Sequence, residues 1–118
     1  MKAINRSVFV VRVREPYVSW ASSIDDVATE HARRLHDYVS VYLAPEDPTG
    51  RHETPPLEDF FTKIFDHQLE SWCADDSLWP EDRSYSIFRE WFEVTGQSMV
   101  WDIGTEPFRF EDYGGRVF

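Results

Sequence analysis

Histidines, carboxylates and a single cysteine are the residues with which this chain could do chemistry, and their spacing limits what that chemistry can be. His31 and His36 are five apart, flanked by Glu30 and Asp37. A helical zinc pair needs i, i+4 spacing on one face, as in H-E-x-x-H, so five apart is poorly aligned for a shared metal. Asp66, His67, Glu70 and Cys73 fall within two helical turns. His67 and Glu70 (i, i+3), or Asp66 and Glu70 (i, i+4), can share a face. A di-metal site would need a second carboxylate set from another helix, and no matching Glu-x-x-His occurs. A solvated polar face is the expectation, with no cofactor and no metal. A thiolate at Cys73, paired with His67, is opposed by the negative charge of Asp75 and Asp76. Cys73 instead reads as a small, partly buried filler.

Ser98 and Asp102 bracket an expected strand, but spacing supplies no histidine partner, and G-x-S-x-G, P-loop and G-x-G-x-x-G patterns are absent. No catalytic residue is assigned. Arg6, Arg12, Arg14 and Arg83 are the candidate anion contacts. A buried Arg6 or Arg83 would need a carboxylate partner, with Asp102 one choice. A structural ion pair is the expected use, and a ligand clamp the other reading. The ligand-binding candidates are therefore Arg6, Trp79, Arg83 and Asp102, with His67 added if a cleft forms between sheet and helices.

The elements that must position these residues centre on an aromatic stretch, residues 54–102. Leu57, Phe60, Phe61, Ile64, Phe65, Leu69 and Trp72 recur every three or four positions, one stripe of an amphipathic helix. Thr54 reads as its N-cap, Pro55 as its first residue, and the end is placed near Ala74. That is roughly 20 residues and ~30 Å. Glu58, Thr62, Lys63, Asp66, His67, Glu70 and Ser71 form its polar face. Trp79-Pro80 then makes a corner, its indole folded back onto the core. A second helix is expected over 84–92, where Ile87, Phe88, Trp91 and Phe92 share a face. Thr95-Gly96-Gln97 breaks the pattern, and 98–103 reads as a strand with Met99, Trp101 and Ile103 on one side. The alternative is a hairpin pairing Glu93-Val94 with that strand.

Before this stretch, Ile4 to Val13 is apolar on both faces and reads as a central strand. Pro16 opens a short helix carrying Tyr17, Trp20, Ala21 and Ile24. Residues 25–36 read as a further, exposed helical segment starting at Asp25 and Asp26. Residues 38–43 form a strand with Val39, Val41 and Leu43 on one face and Tyr38, Ser40 and Tyr42 on the other. A loop over 44–53 follows, marked by Pro45, Pro48 and Gly50. The order β-α-α-β-α-α-β predicts an α+β fold: a small three- to four-stranded mixed or antiparallel sheet with helices packed on it. Residues 1–118 form one domain, 108–118 being an aromatic tail that either packs on the domain or docks elsewhere.

At 118 residues, with 42% hydrophobic and 16% aromatic content, the chain can bury one core and is not expected to be disordered. No apolar run approaches the ~18 residues of a membrane helix. The N-terminus lacks a signal-peptide pattern, so a cytoplasmic location is expected. Formal net charge is −10. Residues 53–93 hold eleven acids against three bases, a net of −8. That excludes direct binding to nucleic acid or an anionic membrane, and fits a basic protein partner or solubility alone. The partner-binding candidates are Glu58, Asp66 and Glu70 with Phe108 and Phe110, where the aromatic alternation suits addition to a sheet edge. A non-enzymatic protein-interaction module is the leading expectation. A small enzyme or ligand-binding domain near Asp102, Arg83, His67 and Trp79, and self-association through the tail, are the others.

One pattern runs through these segments: Asn5-Arg6 before an apolar strand, Pro16 with Trp20, Tyr42-Leu43-Ala44-Pro45, Ile64-Phe65, Gln68-Leu69-Glu70 and Trp72. Leu78-Trp79-Pro80, Arg83, Trp91-Phe92 and Ser98-Met99-Val100 with Asp102 continue it. Together they resemble a family of small, acidic, uncharacterised bacterial proteins sometimes labelled plasmid-related. The similarity spans about residues 4–107. It implies a bacterial, cytoplasmic protein with a compact α+β domain, and it transfers no activity and no catalytic residue.

Overall fold

Arg6–Val13 forms the strand on which the rest of the chain is laid. The computed structural model describes residues 1–24, 29–51 and 53–112. In chain order the elements are β1 (Lys2–Ala3), β2 (Arg6–Val13), α1 (Glu15–Ile24), α2 (Thr29–Arg33) and β3 (Ser40–Pro45), then α3 (Phe61–Trp72), α4 (Tyr85–Trp91), β4 (Phe92–Gln97) and β5 (Trp101–Asp102). Short 3-10 turns lie at Arg34–Asp37, Leu57–Asp59 and Asp76–Leu78. The fold is α+β with two small antiparallel sheets.

β2 is the central strand of the order β3-β2-β4. Its register sets Phe9 opposite Tyr42 and Gly96, and Val10 opposite Val41 and Thr95. Alternation of side chains then assigns the faces. Ser7, Phe9 and Val11 point to the core and are buried, while Arg6 and Arg12 point away and are exposed.

Helices α1, α3 and α4 supply the rest of the core. Phe65 sits at its centre, its ring 5.6 Å from Phe88, 5.7 Å from Trp91 and 5.4 Å from Phe92, in tilted and edge-on arrangements that aromatic rings favour. Tyr17, Val18 and Ala21 of α1, Ala32 of α2, Ala44 of β3 and Ile64 and Leu69 of α3 join it. Three indoles tie helix ends together. Trp72 Nε1 donates to the Ala21 carbonyl near the end of α1, Trp79 Nε1 to the Cys73 carbonyl just after α3, and Trp20 Nε1 to the Leu78 carbonyl. Carbonyls of this kind have no intrahelical partner, so each indole bond satisfies one. The Trp79 indole folds back as the Trp-Pro corner predicts.

Three elements differ from expectation. The helix predicted from Thr54 to Ala74 is 12 residues, Phe61–Trp72, behind a separate 3-10 turn at Leu57–Asp59. Proline disfavours helix for the residue preceding it, so Thr54 and Pro55, each followed by a proline, stay extended. Pro56 is extended too (ψ 124), and Phe60 breaks the path at φ −124. Thr54 is therefore not the cap; its side chain packs against Gly96.

The strand predicted over 98–103 lies mostly elsewhere. β4 begins at Phe92, directly after α4, and pairs with β2, so the Thr95-Gly96-Gln97 break is part of a strand. Val94 and Phe92 face the core there, which the helical period had masked. Only Trp101–Asp102 of the predicted strand remains, and β5 pairs with β1 (Lys2 opposite Asp102, Ala3 opposite Trp101), not with 93–94. α4 itself matches, with Ser84 as its N-cap accepting from the Ile87 amide.

The segment predicted as an exposed helix at 25–36 shows α2 and a 3-10 turn, with Ala32 fully buried. Its expected start at Asp25 and Asp26 lies outside the described residues, as do residues 113–118 of the aromatic tail.

Candidate functional site

An antiparallel sheet covered on one side ordinarily carries polar residues on the other. This one does not. Leu43 and Val8 share the outer face, as do Val41 and Val10, and Val39 precedes β3. Val41 is 61% exposed and Leu43 59%. Thr95, Gln97 and Glu93 of β4 flank them, with Arg6 and Arg12 of β2 at the two ends. The face is thus an apolar strip with a polar rim. β3 is also an edge strand, with no charged residue from Ser40 to Ala44. Edge strands usually carry a charge or a proline within their length to prevent pairing with other chains. Here Pro45 stands only at the end.

The opposite face of β3 holds the polar residues that sequence alternation would place in solvent. Gln68 of α3, nearly buried, donates from Nε2 to Ser40 Oγ and to Tyr42 Oη, both at 2.8 Å. Tyr42 Oη lies 2.7 Å from His67 Nδ1, with the rings edge-on at 5.4 Å. Tyr17 Oη donates to the Gln68 carbonyl. Burial pushes the Tyr42 phenol up to about 12, against the opposing effect of its hydrogen bonds to Gln68 and Ser40. Burial raises Tyr17 further, with Tyr42 adding to it. Both phenols stay protonated at neutral pH. These hydrogen bonds join α3 to β3 and, through Tyr17, to α1.

The described residues line several depressions. The cleft beside Tyr42, lined by Phe9, Leu43, Phe60, Lys63 and Ile64, is about 140 Å³. Ligand pockets are typically ~300–1,000 Å³. The larger depressions are shallow, one of about 400 Å³ lined by Asn5, Arg6, Leu43, Ala44, Pro45 and Glu46. Another, about 350 Å³, runs along β1 and the 102–108 segment.

The residues singled out from sequence are distributed over the molecule. Arg83 lies over the Trp79 ring, 5.7 Å from its centroid, and donates to the Pro80 carbonyl. Arg6 donates to the Asn5 carbonyl. Asp102 accepts from the Gly104 amide and pairs with neither arginine. His67 is engaged by Tyr42. The clefts at β1, at the end of β3, beside Tyr42 and along the 102–108 segment bring no two of Asp102, Arg83, His67 and Trp79 together. Asp66 and Glu70 are half-buried on α3, whereas Glu58 lies in the preceding 3-10 turn and is exposed. Phe108 (63%) and Phe110 (90%) are exposed, with Phe108 beside Lys2 and Ile4. His31 stands edge-on to Trp72, and His36 bonds Glu15 at 3.2 Å, so the two do not converge. Cys73 is half-buried, its Sγ 3.6 Å from the Asp75 carbonyl. Among the described residues no three His, Cys, Asp or Glu side chains are grouped to hold a metal ion.

Sequence reasoning missed the outer sheet face as a surface. The signal was present: two apolar strand faces in a chain whose helices suffice to cover only one. No helix among the described residues is long and apolar enough to cross a membrane. No family model, no curated protein and no solved structure matches the chain.

Proposed function

We propose that the protein acts by binding another protein chain and not by catalysis, and that it docks on the outer face of the β3-β2-β4 sheet. The observation that carries this reading is the exposed apolar strip Val39, Val41 and Leu43 with Val8 and Val10, where solvated antiparallel sheets carry polar side chains. The scattered ligand candidates and small cleft support it. The acid surplus of residues 53–93 directs partner choice away from nucleic acid. A bacterial, cytoplasmic setting belongs to the same proposal and rests on the resemblance described above.

A second reading keeps a basic partner on the polar face of α3, favoured by Asp66 and Glu70 one turn apart. Tagged wild type, Val41→Lys and Asp66→Lys baits, compared at low and high salt, separate the two. Docking on the sheet predicts a partner that survives high salt and Asp66→Lys and is lost with Val41→Lys. A partner lost at high salt and with Asp66→Lys, but kept by Val41→Lys, gives the site to α3 and refutes the sheet reading.

A further inference from the structure

We infer that the occupant of the outer sheet face is a second copy of this chain, the two faces packing against each other to complete a two-sheet sandwich. The inference rests on the docking proposal above and names its partner.

Charge points to a copy. Each chain carries a formal −10, so most approaches between two copies set acid against acid. The outer face carries no acid surplus. Its middle, Val8, Val10, Val41, Leu43 and Thr95, is uncharged. Its rim holds Arg6, Arg12 and Glu93, so an isologous two-fold can set arginine against glutamate. A strongly basic foreign partner would find no carboxylate in the centre of this face.

Geometry agrees. Antiparallel sheets stack about 10 Å apart with strands within roughly 30° of each other, interleaving the inner-facing side chains of both. Val41 and Leu43, the most exposed apolar residues of the strip, would supply that layer from each copy.

Size sets the strength. Three strands ~4.8 Å apart and some 20 Å long give a footprint on the order of 300 Å². A standard interface takes ~800 Å² per partner. The dimer therefore falls in the weak class, forming with rising concentration and not as an obligate pair.

The test is sedimentation equilibrium of the full chain from low micromolar to near-millimolar concentration, at low and high salt. The expected result is a weight-average mass climbing from 14.0 kDa toward twice that value, at high salt as well as low. Val41→Lys and Leu43→Lys should hold the mass at 14.0 kDa at every concentration, with unchanged thermal melts showing that both remain folded. Asp66→Lys should associate like wild type. A wild type that stays at 14.0 kDa throughout, or a dimer indifferent to both lysines, overturns the inference. The docking proposal has its own readout. A monomeric wild type that still captures a Val41→Lys-sensitive partner removes the second copy and leaves the docking face standing, whereas failure of both measurements removes both.

Discussion

Replacing Tyr42 with phenylalanine distinguishes a structural hydroxyl from a functional one. Tyr42 Oη accepts from Gln68 Nε2 at 2.8 Å and meets His67 Nδ1 at 2.7 Å. Phenylalanine keeps the ring and its edge-on contact with His67. It removes two hydrogen bonds and leaves His67 Nδ1 unpaired, while Gln68 retains Ser40. A net hydrogen bond is worth ~1 kcal/mol, and a buried group left unpaired costs ~1–3 kcal/mol. His67 is half-buried, so water recovers part of that loss and the expected destabilisation is about 1–2 kcal/mol. For a domain of this length that lowers Tm by roughly 4–8 °C. Thermal melts by circular dichroism, with urea unfolding to check that the slope is unchanged, measure it. A Tm within 1 °C of wild type, or above it, would refute the structural role and return His67 to the ligand-binding candidates.

Ser7 Oγ is fully buried without a hydrogen-bond partner among the described residues, so Ser7→Ala should raise stability by about 1 kcal/mol in urea unfolding, and a loss of that size would show a partner that the geometry does not. A Cβ on Gly96 would lie 2.9 Å from Thr54 Cγ2, so Gly96→Ala should cost about 1 kcal/mol and Thr54→Ala should recover most of it; additive losses in the double variant would contradict that contact. The Asp47 carboxylate accepts from the Thr49 hydroxyl and from the amides of Thr49, Arg51 and Glu53, which lowers its pKa from 3.8 to about 2. A depressed carboxylate stabilises above its unfolded value, so this loop contribution is complete above about pH 4 and lost as pH falls through about 2. A carboxyl-carbon NMR titration with its midpoint near 3.8 would show that the loop is not organised around Asp47.

Apolar periodicity made much of the core legible in the sequence. Ile64, Phe65 and Leu69 of α3 and Phe88 of α4 are buried where their spacing put them. The start of α3 was not legible, because a stripe beginning at Leu57 matches helical spacing although the backbone leaves the helical path at Phe60, between the 3-10 turn and α3. β4 was hidden for a related reason. Phe92 continues the helical pattern of Ile87, Phe88 and Trp91, yet backbone pairing with β2 decides its state, and that partner is some eighty residues away. β1 and β5, two residues each, are too short to leave a periodic signal. The outer face was half legible. Alternation correctly separated Val41 and Leu43 from Ser40 and Tyr42, but could not say which row faced the core, and Tyr38, grouped with the polar row, lies before β3 and is exposed. The choice follows from tertiary partners, since Gln68 on α3 satisfies the polar row that is turned inward.

The claim that the outer sheet face is where this protein meets another chain is tested most directly by photo-crosslinking. A benzophenone side chain is placed at position 41 in one variant and at position 66 in another, and each purified chain is irradiated near millimolar concentration. The account predicts an adduct of two copies from position 41 and none from position 66. An adduct from position 66 alone, or from neither position, would contradict it.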